Sequence, residues 1–206
     1  MSDIRWAPKA KLAKPEMAST ELVYQDLSRF TVPPGFRGRP AWFVQLWWIV
    51  DALLFRPSPQ IMYAWRRSLL RLFGAEIGSG VIIRPSARIT YPWKVTIGDH
   101  AWIGNDVTLY SLGQIDIGAH SVISQKSYLC AGDHDHLQVD FAIRGPRIKI
   151  GSQVWVASDV FIAPGVTIAD GAVVGARSTV IQDLPAGMIC IGNPARPIKR
   201  RVMHSA

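Results

Sequence analysis

The densest chemistry in this 206-residue chain is one hexamer, Ala131-Gly132-Asp133-His134-Asp135-His136. Imidazole is the side chain whose ordinary pKa lets it take a proton near neutrality, which suits a histidine here to general-base work. Asp133, Asp135 or a backbone carbonyl could fix the ring's tautomer, and sequence adjacency does not choose among them. The plainer alternative is a solvated polar turn with incidental histidines. No serine or cysteine stands with a base in the manner of a covalent catalyst. Cys130 and Cys190 lack metal-ligand spacing, so free thiols in a reducing compartment are expected.

What must position the hexamer is a repeat. From Ile77 to about Val180 the chain reads in sixes. Ile77-Gly78, Ile97-Gly98, Ile103-Gly104, Ile117-Gly118, Ile150-Gly151 and Val174-Gly175 are aliphatic–glycine pairs. After two further residues comes a small or β-branched one: Val81, Ala101, Val107, Ser121, Val154 and Ser178. Three sixes make a unit. The aliphatic leads group as Ile77/Ile83/Ile89, Ile97/Ile103/Leu109, Ile117/Ile123/Leu129, Ile150/Val156/Ile162 and Ile168/Val174/Val180, which is five coils. Such a period marks a parallel β-helix, in which each coil buries its neighbour's apolar face because none can bury its own. A doubly wound α/β sheet would need helical stretches of about 10–15 residues between strands, and these are missing.

The departures from strict period are informative. The first three coils start twenty residues apart, so Tyr91-Pro92-Trp93 and Leu112-Gly113-Gln114 are expected at equivalent corners. His100 and His120, also twenty apart, should stack on the outside. Between Leu129 and Ile150 the interval lengthens. A loop at about 135–147 must therefore leave the solenoid, and inserted loops of repeat proteins often form the binding face.

The net charge is +8, with Lys and Arg concentrated at the two ends. No basic run alternates with exposed aromatics, which argues against nucleic acid. Residues 1–40 read as a loose arm, with Lys9, Lys11 and Lys14 among prolines and then Pro33, Pro34, Gly35, Gly38 and Pro40. Residues 41–55, AWFVQLWWIVDALLF, are apolar nearly all round. As a helix they reach about 22 Å, too short to cross a bilayer comfortably. Pro57 and Pro59 stop them. A second helical pattern puts Ile61, Met62, Trp65, Leu69, Leu72 and Phe73 on a stripe, with Arg66, Arg67 and Arg71 off it. These helices either cap the open edge of the first coil or lie at a membrane interface, and both can hold. No secretory signal opens the chain, so the expected location is cytoplasmic, with peripheral contact at the inner face of the membrane. The expected organisation is an arm and helices over 1–75, the β-helix over 76–185 and a basic tail over 186–206.

The hexapeptide pattern, the His-bearing loop and the segment Ile191-Gly192-Asn193-Pro194-Ala195-Arg196-Pro197 together resemble the left-handed β-helix acyltransferases that acetylate galactosides, maltose, serine and xenobiotics. ISQKSYLCAGDHD followed by WVASDVFIAPGVTI is similar to acetyltransferases of the colanic acid biosynthesis type from bacterial polysaccharide clusters, over about residues 20–200. The resemblance implies an all-β solenoid, a left-handed parallel β-helix of about five coils with N-terminal helices and a C-terminal tail. It implies an acetyl-CoA-dependent O-acetyltransferase acting on a sugar or lipid-linked saccharide hydroxyl. It also implies a homotrimer with active sites between subunits. His134 falls at the catalytic position, where the family's histidine deprotonates the acceptor hydroxyl as it attacks the thioester directly. Asp106 falls where sugar acetyltransferases carry a substrate-contacting asparagine, and Asp135 and His136 are further acceptor candidates. The coenzyme groove is implied at Trp155, Ala157, Ser158 and Ala176, with Arg196 and Lys199 toward its phosphates. No metal is implied. The alternatives are a non-enzymatic hexapeptide scaffold and a zinc carbonic anhydrase of the same fold. A catalytic zinc takes three protein ligands, and the five histidines here do not show that family's spacing.

Overall fold

Short strands with one side chain out and the next one in generate the whole architecture. The computed structural model describes residues 23–203; the first part of the arm, with Lys9, Lys11 and Lys14, and the last three residues of the tail lie outside it. The first coil is β1 (Glu76–Ile77), β2 (Ile82–Ile83) and β3 (Arg88–Ile89). The second is β4 (Val95–Ile97), β5 (Trp102–Ile103) and β6 (Thr108–Tyr110). The third is β7 (Ile115–Ile117), β8 (Val122–Ile123) and β9 (Tyr128–Cys130). A two-stranded excursion follows, β10 (Asp133–His134) and β11 (Ile143–Arg144). The fourth coil is β12 (Ile148–Ile150), β13 (Trp155–Val156) and β14 (Phe161–Ile162), and the fifth β15 (Thr167–Ile168), β16 (Val173–Val174) and β17 (Thr179–Val180).

The strands stack into three parallel sheets, one per side of a triangular prism: β1-β4-β7-β12-β15, β2-β5-β8-β13-β16 and β3-β6-β9-β14-β17. Register follows the repeat, with Ile83 beside Ile103 and Ile103 beside Ile123. All fifteen aliphatic leads are buried, and so are the six corner residues Val81, Ala101, Val107, Ser121, Val154 and Ser178. Leads and corner residues together fill the prism. The buried hydroxyls of Ser121 and Ser127 donate to the carbonyls of Gly151 and Ala157, so the small polar corners bind the third coil to the fourth.

The stack runs beyond the expected five coils to about six turns. Leu184 forms a parallel bridge to Ile168, and β18 (Met188–Gly192) pairs with β16 on the second face. β19 (Ala195–Arg200) then returns antiparallel to β18, so the segment expected as a tail is a hairpin that closes that face.

At the other end, α1 (Ala41–Val50), a π-helical turn over Asp51–Phe55, and α2 (Tyr63–Leu72) lie over the first coil. The edge of that coil presents carbonyls with no further strand to pair them, and buried orphans of this kind are costly. The helices supply the donors. Trp47 Nε1 donates to Ile89 O at 2.9 Å, Arg67 to Val81 O at 2.8 Å, and Arg71 to Ile77 O and Gly78 O at 2.7 and 2.9 Å. Arg66 is fully buried. It donates to Ile83 O (2.7 Å), Ser58 Oγ (2.8 Å), Pro59 O (2.9 Å) and Gln60 O (2.6 Å). The apolar stripe of α2 is accordingly rotated from its expected place. Leu69, Leu70 and Phe73 are buried beside Arg66, while Ile61 and Leu72 face out. Satisfying the strand edge outweighs hiding two more aliphatics.

Candidate active site

The excursion leaves the corner between the third face and the first, and it starts at Asp133, slightly ahead of the expected loop. It is a hairpin: Asp133 pairs with Arg144 and His134 with Ile143. Arg144 grips Asp133 through two N–H donors at 3.0 and 2.9 Å. Asp135 accepts from Leu137 N and Gln138 Nε2 at 3.1 and 3.2 Å, so its carboxylate builds the turn. Return of the hairpin to the solenoid needs glycine at two facing positions. A Cβ on Gly113 would stand 2.3 Å from Gly145 O, a backbone atom that cannot swing aside.

Inside the hairpin, His134 is half-buried and sandwiched. Its ring lies 4.3 Å from that of Phe141 at an angle of 8°, and Phe30 of the N-terminal arm lies 5.8 Å away. The arm is tied to the hairpin by Asp26 N–H, which donates to Val139 O at 2.7 Å. His134 Nδ1 is 2.8 Å from Phe141 O. A carbonyl only accepts, so Nδ1 carries the proton and the neutral ring keeps its lone pair on Nε2. The orienting group is thus a backbone carbonyl, with Asp133 and Asp135 engaged elsewhere. Phe141 holds φ at +52°, a left-handed conformation that an aromatic residue rarely adopts, and it does so at the residue whose carbonyl meets the imidazole. His136 is exposed two residues on.

Asp106, Trp155, Ala157, Ser158 and Ala176 gather at a different corner, between the second and third faces. Asp106, Lys126, Asp159 and Arg177 turn this corner in successive coils with φ of 56°, 63°, 59° and 58°. Backbone bonds from Lys126 to Asn105, Asp159 to Gln125 and Arg177 to Ser158 stack them in one row. Ala157, Ser158 and Ala176 lie in this row, and Trp155 stands beside it on β13, half-exposed, with Nε1 donating to Ser124 Oγ at 3.1 Å. Arg84, Trp102, Asn105, Ser124 and Gln125 line a groove along the same edge. Arg196 and Lys199 are on β19, reached from β13 across β16 and β18. One side of the prism separates His134 from this row, roughly 15–20 Å at the rise of a strand.

His100 and His120 stack as expected on the outer surface, ring centroids 5.2 Å apart at 18°. Among the described residues no third ligand-type side chain joins them.

A family model described as "Bacterial transferase hexapeptide (six repeats)" matches residues 147–182. A protein of Escherichia coli K12 named "Putative colanic acid biosynthesis acetyltransferase WcaF" is 64% identical over 178 residues, covering 86% of this chain and 98% of that one. The chain belongs to the hexapeptide-repeat acetyltransferases. The solved structures agree. A maltose O-acetyltransferase from Clostridium difficile 630 superposes with a TM-score of 0.72 at 25% identity, over 80% of this chain and 90% of that one. The hexapeptide-repeat acetyltransferase VCA0836 of Vibrio cholerae gives 0.72 at 26%, over 80% and 95%, and it has also been solved with acetyl coenzyme A. The solenoid is therefore the left-handed β-helix of this enzyme family, and the scaffold alternative is set aside.

Within this acetyltransferase, sequence reasoning passed over Phe141 and Phe30, which have no signature: nothing about a phenylalanine announces a positive φ or a stack on a distant histidine. It also passed over Asn105, Gln125 and Lys126, although these were findable, because the repeat register puts them in the same row as Asp106 and Ser158.

Proposed function

We propose that the enzyme transfers acetyl from acetyl-CoA to a hydroxyl of a sugar or polysaccharide precursor, with His134 as general base. The observation that carries this is the His134–Phe141 contact at 2.8 Å, which fixes the proton on Nδ1 and leaves Nε2 free to accept. In the proposed step Nε2 takes the acceptor's proton as its oxygen attacks the thioester carbonyl. The tetrahedral intermediate then collapses, expelling the coenzyme thiolate, which takes the proton from Nε2 and leaves the imidazole neutral again. No acyl-enzyme forms. Proximity supplies much of the acceleration. Asp106 and His136 are proposed to contact the acceptor, and Asp135 to shape the turn beneath it.

The coenzyme is proposed to lie along the row of Ala157, Ser158 and Ala176 beside Trp155, its phosphates toward Arg196 and Lys199. A long, thin, amide-bearing pantetheine suits a furrow whose walls offer backbone groups. The acetyl-CoA complex of the Vibrio relative supports this cosubstrate, and the name of the E. coli relative supports a polysaccharide precursor as acceptor. Because His134 and this row occupy different corners of one chain, the proposed site forms between neighbouring copies of a homotrimer, one giving the hairpin and the next the groove. A cytoplasmic enzyme would meet acetyl-CoA and such precursors together.

Calorimetric titration with acetyl-CoA tests the reading. Saturable binding is expected, together with a particle near three times the 22.8 kDa chain in light scattering. No binding at millimolar ligand would overturn it.

A further inference from the structure

The helical cap leaves an apolar surface that the solenoid does not use. Val44, Trp47 and Phe55 point inward and are fully buried. On the opposite side Trp42, Leu46, Ile49 and Leu53 are exposed, at intervals of four, three and four residues. That is one face of a helix, and it is as apolar as the buried one. Ile61 and Leu72 extend it, 85% and 76% exposed. A helix apolar all round belongs in a protein interior or against lipid.

Charge decides between the two occupants such a face could take. Between Leu27 and Ala75 the chain has seven arginines and a single acidic residue, Asp51. Asp51 is largely turned away from solvent and pairs with Arg56 at 2.9 Å. Arg39 precedes the helical run, Arg56 follows it and Arg71 adjoins Leu72, all three exposed. A second copy docked face to face would set one basic rim against another. An anionic bilayer meets the same rim with phosphates while its acyl boundary takes the apolar stripe. Exposed Trp42 and Trp48 add indoles, which favour the headgroup level. Among the described residues no helix is long and apolar enough to cross a membrane.

We propose that this surface seats the protein on anionic lipid, with the run from Ala41 to Phe55 lying in the plane of the headgroups. The proposal stands on the cap alone and is independent of the acetyl-transfer reading. Flotation of the full chain with phosphatidylcholine vesicles, with and without phosphatidylglycerol, tests it. The chain should float with the phosphatidylglycerol vesicles and be released by salt. Leu53→Glu should lower the vesicle-bound to free ratio about tenfold or more, from the size of one buried leucine. Trp42→Ser should act in the same direction, and Arg39→Glu should weaken binding while flattening its salt dependence. Melting curves check that each variant is folded. A chain that stays unbound with both vesicle types at low salt overturns the proposal. So does equal binding to neutral and anionic vesicles. An assembly that Leu53→Glu dissolves in the absence of lipid binding assigns the face to a second copy, and that too overturns it.

Discussion

Replacing Arg66 by methionine removes the group that closes the open edge of the solenoid. Methionine keeps the unbranched stem and fills similar space, so the change is chiefly electrostatic. Four donated bonds disappear. Pro59 and Gln60 are exposed residues, so their carbonyls can recover water. Ser58 still donates its hydroxyl to Phe55 O. Ile83 O, at a fully buried residue, recovers nothing, and an unsatisfied buried acceptor costs about 1–3 kcal/mol. Losing charge-assisted bonds at the other three adds to this, and relief from burying a cation subtracts. The net expectation is a loss of about 2–4 kcal/mol, or a melting temperature lower by about 5–15 °C for a chain of this size. Thermal and urea melts of parent and variant should be compared at equal protein concentration, because assembly would add to apparent stability. Arg66→Lys should fall between them, since one ammonium cannot meet four acceptors spread around a guanidinium fork. A methionine variant melting within about 2 °C of the parent would show that Arg66 does not stabilise the open edge of the first coil.

Three further outcomes follow from the geometry. Mixing His134→Ala chains with Ser158→Trp chains, each inactive alone, should restore about a quarter of the sites if each site joins two neighbours of a closed ring; no recovery in mixed, reassembled trimers would place the whole site within one chain. Gly113→Val should force the hairpin backbone away from the solenoid, cutting turnover about a hundredfold, the size of effect that small misplacements cause, and lowering the melting temperature by roughly 2–10 °C through overpacking at a buried glycine. Burial raises the Asp51 carboxyl above its ordinary pKa, although Arg56 opposes the shift. Its contribution to stability is therefore full in acid, below the unfolded pKa, and is lost as pH rises through the folded one. Asp51→Asn should accordingly melt higher than the parent at pH 7, with the gap closing in acid, and a gap that widens in acid would contradict that sign.

The solenoid was legible because its physics repeats: each aliphatic lead and each small corner residue recurs at a period that only stacked coils explain, and all of them are buried as the pattern requires. His134 stood out by residue type and by its place at a break in the period. What orients it did not, because a backbone carbonyl has no letter in the sequence and Phe141 gives no warning of its left-handed φ. Arg66 misled for a related reason. An arginine on a helix reads as solvent-facing, and the need to satisfy a distant strand edge shows only once the edge is built. The sixth turn was hidden because Leu184 and Met188–Gly192 fall out of the six-residue register while still pairing with the fifth coil.

In the proposed reaction His134 accepts the proton of the acceptor hydroxyl. The most direct measurement is acceptor-dependent release of coenzyme thiol by His134→Ala, with acetyl-CoA affinity measured on the same sample. Affinity should be unchanged and turnover lower by at least about a hundredfold, the typical scale of general-base catalysis. Turnover near that of the parent would remove His134 from the role.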